Sequence, residues 1–180
     1  TNIQDPVSGV ALVVKNAGDI EYRGFEIDGV YTMTETVTMV ASLGYVHSKY
    51  KNLISDLTGD FIIDALDYAL EVPRAAPLTY SLGFNIDGNL GTWKSITRIS
   101  YYHRDKSYYN ENNQGFINEQ DILNFGYDIY SSDGKINIGI YGKNLSNDVK
   151  HGGDTNLSFG GTFAPLAKGK IVGAELVYKF

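Results

Sequence analysis

From Leu78 to Asp87 every second residue is apolar: Leu78, Tyr80, Leu82, Phe84 and Ile86 alternate with Thr79, Ser81, Gly83, Asn85 and Asp87. A period of two places one set on each side of a β-strand, so this stretch is a strand with one apolar and one polar face. The pattern recurs. Val37, Met39, Ala41, Leu43 and Tyr45 form one apolar set, and Leu123, Phe125, Tyr127 and Ile129 another. Ile136, Ile138 and Ile140 follow, then Val172, Ala174, Leu176, Tyr178 and Phe180, while Phe25, Ile27, Tyr31 and Met33 stand opposite Glu26 and Asp28. In the less regular stretch 93–109, placing Trp93, Ile99 and Tyr101 on the apolar face keeps Lys94, Arg98 and Arg104 off it.

Composition agrees with an all-β chain: 14 Tyr, 8 Phe, 1 Trp and 20 Gly stand against 2 Met and 4 Pro. Cysteine is absent, which removes disulfides and thiolate metal sites. The net charge of −6 with scattered Lys and Arg argues against a nucleic-acid partner, which needs a concentrated basic face. No apolar run reaches the roughly 18 residues of a transmembrane helix. Transmembrane β-strands leave a different trace, alternating segments of about 10 residues, and the mean hydropathy of −0.19 fits them. The start carries no Met, charged n-region or apolar h-region, so a secretory signal is expected upstream of Thr1.

Connections alternate between short and long. Stretches 33–36, 87–92 and 131–135 carry hairpin chemistry, including two Asp-Gly pairs, whereas 51–76, 110–117 and 148–167 are long, polar and Gly-rich. All the long loops then fall at one end, as in an outer-membrane barrel with short periplasmic turns and long extracellular loops. Within the first long loop, Phe61, Ile62, Ala65, Leu66, Ala69 and Leu70 fall at helical spacing, which fits an amphipathic turn packing on the loop's own base or a small ligand-facing helix. Asn16-Ala17-Gly18-Asp19 fits either a hairpin turn or a bulge in one strand over 10–33.

Five segments, in order, carry a family resemblance. Lys15-Asn16-Ala17-Gly18 then Gly24-Phe25-Glu26, Leu43-Gly44-Tyr45 leading to Tyr50, and Val72-Pro73-Arg74-Ala75-Ala76-Pro77 are the first three. Lys143-Asn144-Leu145-Ser146-Asn147 and the closing Gly173-Ala174-Glu175-Leu176-Val177-Tyr178-Lys179-Phe180 complete the set. Together they resemble the barrel domain of TonB-dependent outer-membrane receptors over nearly the whole chain. The resemblance implies an antiparallel transmembrane β-barrel segment of seven strands, with eight as the alternative. Residues 1–180 would be the C-terminal portion of a barrel of roughly 22 strands, without its plug domain and earlier strands. It further implies a Gram-negative outer-membrane location and active uptake of a scarce solute such as siderophore-bound iron, a vitamin or an oligosaccharide. Its partners would be the lipid bilayer, the plug and remaining strands, the TonB complex acting through the missing N-terminal part, the barrel-assembly machinery and a small-molecule ligand. Phe180 matches the terminal aromatic read as an assembly signal. A passive porin-like barrel, an enzymatic barrel and a soluble binding module are the competing readings.

No catalytic residue is expected. Glu26 and Asp28, two apart, share one strand face as lumen residues rather than as a catalytic pair, and no G-x-S-x-G, P-loop or G-x-G-x-x-G occurs. His47, His103 and His151 lack metal-ligand spacing, and neither a metal nor another cofactor is expected. Tyr31, Tyr45, Tyr101, Tyr127 and Tyr178 sit on apolar faces as girdle residues. The ligand-binding candidates are loop residues with rigid rings or amides: Tyr68, Tyr108, Tyr109, Asn110, Asn112, Asn113, Gln114 and His151.

Overall fold

The computed structural model describes residues 2–4, 12–14, 16–150, 155–157 and 161–180. Seven long strands form one sheet: β1 (Gly18–Thr32), β2 (Val37–Leu53), β3 (Leu78–Leu90), β4 (Trp93–Arg104), β5 (Gln120–Tyr130), β6 (Ile136–Lys143) and β7 (Ile171–Tyr178). Each pairs antiparallel with its sequence neighbours, so spatial order repeats chain order from β1 to β7. Three short pairings lie apart: Asn2–Gln4 with Leu12–Val14, Ser107–Tyr108 with Phe116–Ile117, and Thr155–Leu157 with Gly161–Phe163.

The count of seven settles the first ambiguity, because Leu12–Val14 pairs with Asn2–Gln4 and not with the large sheet. The expected single strand over 10–33 is corrected: β1 begins only at Gly18. Gly18 has φ +147, open only to glycine at low cost, and buried Ala17 turns into the loop region. The bulge lies on the partner strand. Asp19 opposes Asn52 and Ile20 opposes Tyr50, which leaves Lys51 unpaired.

Turns 33–36 and 131–135 connect β1 to β2 and β5 to β6 as expected. The third is tighter than its sequence suggests. Pairing continues through Asp87-Gly88-Asn89 to Leu90 opposite Trp93, leaving the two-residue turn Gly91-Thr92. Gly91, with φ +64, supplies the positive φ that a two-residue hairpin needs at its first position, so Asp87-Gly88 stays in the ladder.

Register fixes the faces. Phe25 opposes Tyr45 and Tyr45 opposes Leu78; Ala41, Leu82 and Tyr101 lie in line, as do Ile129 and Ile138, and Leu176 opposes Ile138. The apolar sets named above all share one side of the sheet. Glu26, Asp28, Ser42, Ser81, Asn85, Arg98, Asn124, Asp128 and Glu175 share the other. Aromatic rings mark both ends of the apolar band. Phe25 with Tyr45 (5.8 Å between centroids) and Tyr80, whose ring lies 6.0 Å from that of Tyr101, lie towards the long loops. Tyr31, Trp93 and the Tyr178–Phe180 pair (5.1 Å) lie towards the short turns. Tyr127 departs from the girdle expectation by sitting mid-sheet opposite Thr97 and Ile140.

Among the described residues nothing covers this band. Phe25, Ile27, Tyr31, Leu82, Ile140 and Leu176 are all exposed, and the buried hydrophobics among the described residues are Ala17, Tyr50, Leu53, Leu57 and Val72, at or beside the first long loop. The surface of 11915 Å² compares with roughly 8,700 Å² for a soluble monomer of this mass. Such a sheet is stable only if another apolar phase takes the place of a core.

The polar face has its own packing rule. Small residues lie beside large ones across strands: Tyr141 opposes Gly173, and a Cβ on that glycine would stand 2.5 Å from the tyrosine ring. Asp128 likewise lies over Gly139, where a Cβ would meet its Oδ1 at 2.6 Å. The Asp128 carboxylate also pairs with the Arg98 guanidinium. Around them lies an open recess of about 260 Å³.

Candidate functional site

The loop end of the sheet gathers the chemistry. In the first loop, residues 54–77, Asp67 is wholly buried. Its Oδ1 accepts from the backbone N–H groups of Leu57 (2.7 Å) and Thr58 (2.9 Å), and its Oδ2 accepts from Asp64 N–H (3.0 Å). The Asp64 carboxylate in turn accepts from Leu66 N–H (2.7 Å), so the two aspartates box in a single helical turn, α1 (Ala65–Tyr68). The expected amphipathic turn packing on the loop's own base is corrected in its packing: the helical turn forms, but its apolar stripe does not cover the base. Only Leu70 of the six spaced apolar residues packs on the loop core, while Phe61 is 97% exposed and Ile62 and Leu66 also face out. A carboxylate with three backbone donors organises the loop, so the apolar stripe is not needed for packing.

Burial alone pushes a carboxyl group up, but the donors from Asp64, Thr58 and Leu57 outweigh it and hold Asp67 below its ordinary range. A carboxyl with a depressed folded pKa stabilises the fold fully above its unfolded value and loses that contribution as pH falls through the folded value. We therefore expect residues 54–77 to loosen in acid, below about pH 4. Amide exchange at Leu57 and Thr58 should accelerate there, and Asp67→Asn should bring the same acceleration at neutral pH. Exchange in Asp67→Asn equal to that of the parent protein at neutral pH would rule this out.

The second loop, residues 105–119, extends as a small hairpin and clasps the first. Asn113 holds Glu71 from both sides: its Nδ2 donates to Glu71 O (2.8 Å) and its Oδ1 accepts from Glu71 N–H (2.7 Å). Arg74 N–H donates to Tyr108 O (2.7 Å), and the Arg74 guanidinium lies 4.9 Å from the centre of the Tyr109 ring. Lys106 sits over Phe116 (4.3 Å) and Tyr108 (5.3 Å).

The predicted site residues divide accordingly. Asn110, Asn112 and Asn113 spend their amide oxygens on Gly115, Gln114 and Glu71 N–H groups, so they shape the loop. Tyr68 accepts from Leu53 N–H through its hydroxyl (3.1 Å), which ties it to the end of β2. Tyr108, Tyr109 and exposed Gln114 remain together at the hairpin. His151 lies outside the described residues. Sequence reasoning missed Arg74 and Lys106, the cations over these rings; the single Arg in the first long loop, next to Pro73, was the available signal.

The third loop is pinned by Asn144, which is buried and left-handed (φ +50). Its Nδ2 donates to Asp148 O (2.9 Å) and Lys168 O (2.8 Å), and its Oδ1 accepts from Asp148 N–H (2.9 Å). Ser146 Oγ donates to Asp121 O, and Asn147 Oδ1 accepts from Lys170 N–H (3.0 Å). Lys150 pairs with Glu119 (3.0 Å) and Asp148 (3.6 Å), which raises the lysine and holds Glu119 below its usual range.

His103 lies between Asp121 (2.7 Å) and Asp105 (3.0 Å) and stacks on Tyr80 at 4.9 Å. Among the described residues no group of three metal-ligating side chains converges.

No family model matches the sequence, and no curated protein matches it either. Solved structures do. The ferric yersiniabactin uptake receptor FyuA from Yersinia pestis superposes with a TM-score of 0.77 at 15% identity, over 94% of this chain and 25% of that one. The ferric preacinetobactin receptor BauA from Acinetobacter baumannii gives 0.64 at 14% identity, over 100% of this chain and 25% of that one. The chain thus spans about a quarter of the length of either receptor. Its fold is that of a stretch of antiparallel β-barrel wall such as these uptake receptors contain.

Proposed function

We propose that the chain is wall and outer loops of an outer-membrane receptor that takes up a scarce solute, a ferric chelate first among the candidates. The observation that carries this reading is the uncovered apolar band with aromatic rings at both ends, on a sheet whose long loops all lie at one end. Hydrocarbon covers that band in the proposed setting, and the polar face lines the lumen. The likeness to two receptors named for ferric siderophores supports the solute class. In this reading the short turns face the periplasm, a plug domain and further strands complete the barrel, and the TonB complex supplies energy. The open sides of β1 and β7 would pair with those strands, since an unpaired edge in lipid costs several kcal/mol per backbone group.

The test is uptake of labelled ferric chelates by cells producing the full-length receptor, with and without a protonophore. Energy-dependent uptake is the expected result, and uptake indifferent to the protonophore would favour a passive barrel. Replacing Tyr108 and Tyr109 together by Ala should weaken binding at least tenfold, because two rigid rings and their cation partners are lost. The unheated gel mobility of the barrel should not change. Full binding in this variant would remove the second loop from the site.

Phe180 stands free of the sheet, edge-on to Tyr178. In the proposed setting it is read by the barrel-assembly machinery. Deleting it should lower the amount of receptor in the outer membrane several-fold and leave ligand affinity per folded molecule unchanged. Normal membrane levels after deletion would exclude that role.

A further inference from the structure

The apolar side of the first hairpin changes character just beyond Phe25 and Tyr45. Arg23 and His47 form the next pair on the same side, and Glu21 and Lys49 the one after. At the β2 bulge, Lys51 brings its Nζ to 3.4 Å from Glu21 Oε2. Arg23 and Lys49 also reach Glu21, at 3.1 and 3.5 Å. Three cations thus share one carboxylate. Arg23 remains 72% exposed and the two lysines nearly half exposed, whereas Glu21 is 26% exposed beneath them.

Location gives this excess its meaning. Two residues along a tilted strand rise about 5 Å, so Arg23 and His47 stand just outside the aromatic ring level. Lys49 and Lys51 stand one and two such steps further out. In the membrane setting proposed above, that zone holds lipid headgroups rather than hydrocarbon or bulk water. The stems of these side chains can lie along the rings while their charged ends reach the headgroups. The same zone on β4 and β5 has the opposite balance: Asp105, Glu119, Asp121 and Asp148 surround His103 and Lys150. Of these two zones, the first hairpin carries the excess of cations.

We propose that Arg23, Lys49 and Lys51 bind phosphate groups on the headgroups of outer-leaflet glycolipids, fixing lipid against this side of the barrel. The inference rests on the membrane reading of the apolar face. Guanidinium and ammonium groups make their strongest hydrogen bonds to phosphate and carboxylate oxygens. Each Lys or Arg beside an anionic membrane surface strengthens attachment about fivefold. Glu21 gathers the three side chains and at the same time weakens their joint field.

The test uses the full-length receptor in non-ionic detergent, titrated with a bisphosphorylated glycolipid and with its phosphate-free counterpart. Bound lipid is counted by native mass spectrometry. We expect the phosphorylated lipid to bind at least tenfold more tightly. The triple variant Arg23→Gln, Lys49→Gln, Lys51→Gln should lose that preference, and Glu21→Gln should strengthen it several-fold. Equal binding of the two lipids, an unaffected triple variant or weaker binding by Glu21→Gln overturns the proposal. Inorganic phosphate that displaces the lipid completely at matched phosphate concentration also overturns it, by assigning the cluster to free anions. Insertion into vesicles, followed by unheated gel mobility on the same preparations, separates the two readings. A parent protein that does not insert overturns the membrane setting itself, whereas one that inserts without lipid preference overturns only the phosphate site.

Discussion

Leu82→Arg should cost the complete barrel roughly 2–4 kcal/mol of stability, the usual penalty for a cation on the lipid face near mid-membrane. Leu82 lies in the middle of the apolar band, with Ala41 and Tyr101 opposite it on the neighbouring strands. The matched control is Val40→Lys. Val40 is next to Ala41 in the chain, at the same height, and shares the polar face with Asp28, one step away diagonally through Val30 and Ser42. A lysine there stays in the lumen near a carboxylate, and its cost should stay below about 1 kcal/mol. Urea titration of both full-length variants refolded into lipid vesicles reads the difference. Equal losses, or a larger loss for Val40→Lys, would mean that the faces are reversed or that no bilayer surrounds them.

The second large effect is expected at Asn144. Asn144→Ala removes the partner of three backbone groups, the buried Asp148 O and Asp148 N–H and the half-buried Lys168 O, each worth on the order of 1 kcal/mol or more. Alanine must also hold a left-handed φ that asparagine tolerates better. The sum is about 3 kcal/mol, confined to the third loop. Hydrogen exchange should therefore report it better than global unfolding, as a rise on the order of a hundredfold at Asp148 and Lys170. Asn144→Gly relieves the backbone but restores no amide, so it should recover only part of the loss. Unchanged exchange at both amides would show that the loop is held by other means.

These two sites also mark how far the sequence can be read. The faces of β3 were legible because a period of two leaves one choice, and a one-residue slip would expose Asn85 and Asp87 to the apolar side. Seven strands rather than eight came from the resemblance at Asn16-Ala17-Gly18, because the local residues fit a turn as well as a bulge. His103, Ser95 and Thr97 break the alternation of β4, yet they share its apolar side because pairing with β3 and β5 dictates it. The loops were legible as loops only. Asn113 grips Glu71 from 42 residues away, and Asn144 reaches Lys168 across 24. Contacts of that kind depend on where two loops end in space, which local residue preferences do not encode. The Lys143–Asn147 segment shows the difference: its resemblance to a family segment was visible, but its task as a clamp depends on Asp148 and Lys168 meeting Asn144 in space.

Tyr45 is the last residue of β2 paired with β3, opposite Leu78, while β1 and β2 continue together to Gly18 opposite Leu53. Residues 18–24 and 46–53 thus run on past the end of β3 as a two-stranded ribbon, about 20 Å long at roughly 3.4 Å per residue. A ribbon this narrow twists and bends more readily than a wide sheet. The buried cluster of Ala17, Tyr50, Leu53, Leu57 and Val72 stiffens only its head, where the first loop folds over it. Bending is therefore expected at the foot of the ribbon, near Gly24, rather than at its braced head. In the proposed receptor a molecule approaching from the loop side would meet this ribbon before the wall, so first contact and final capture would be separated by the length of a lever.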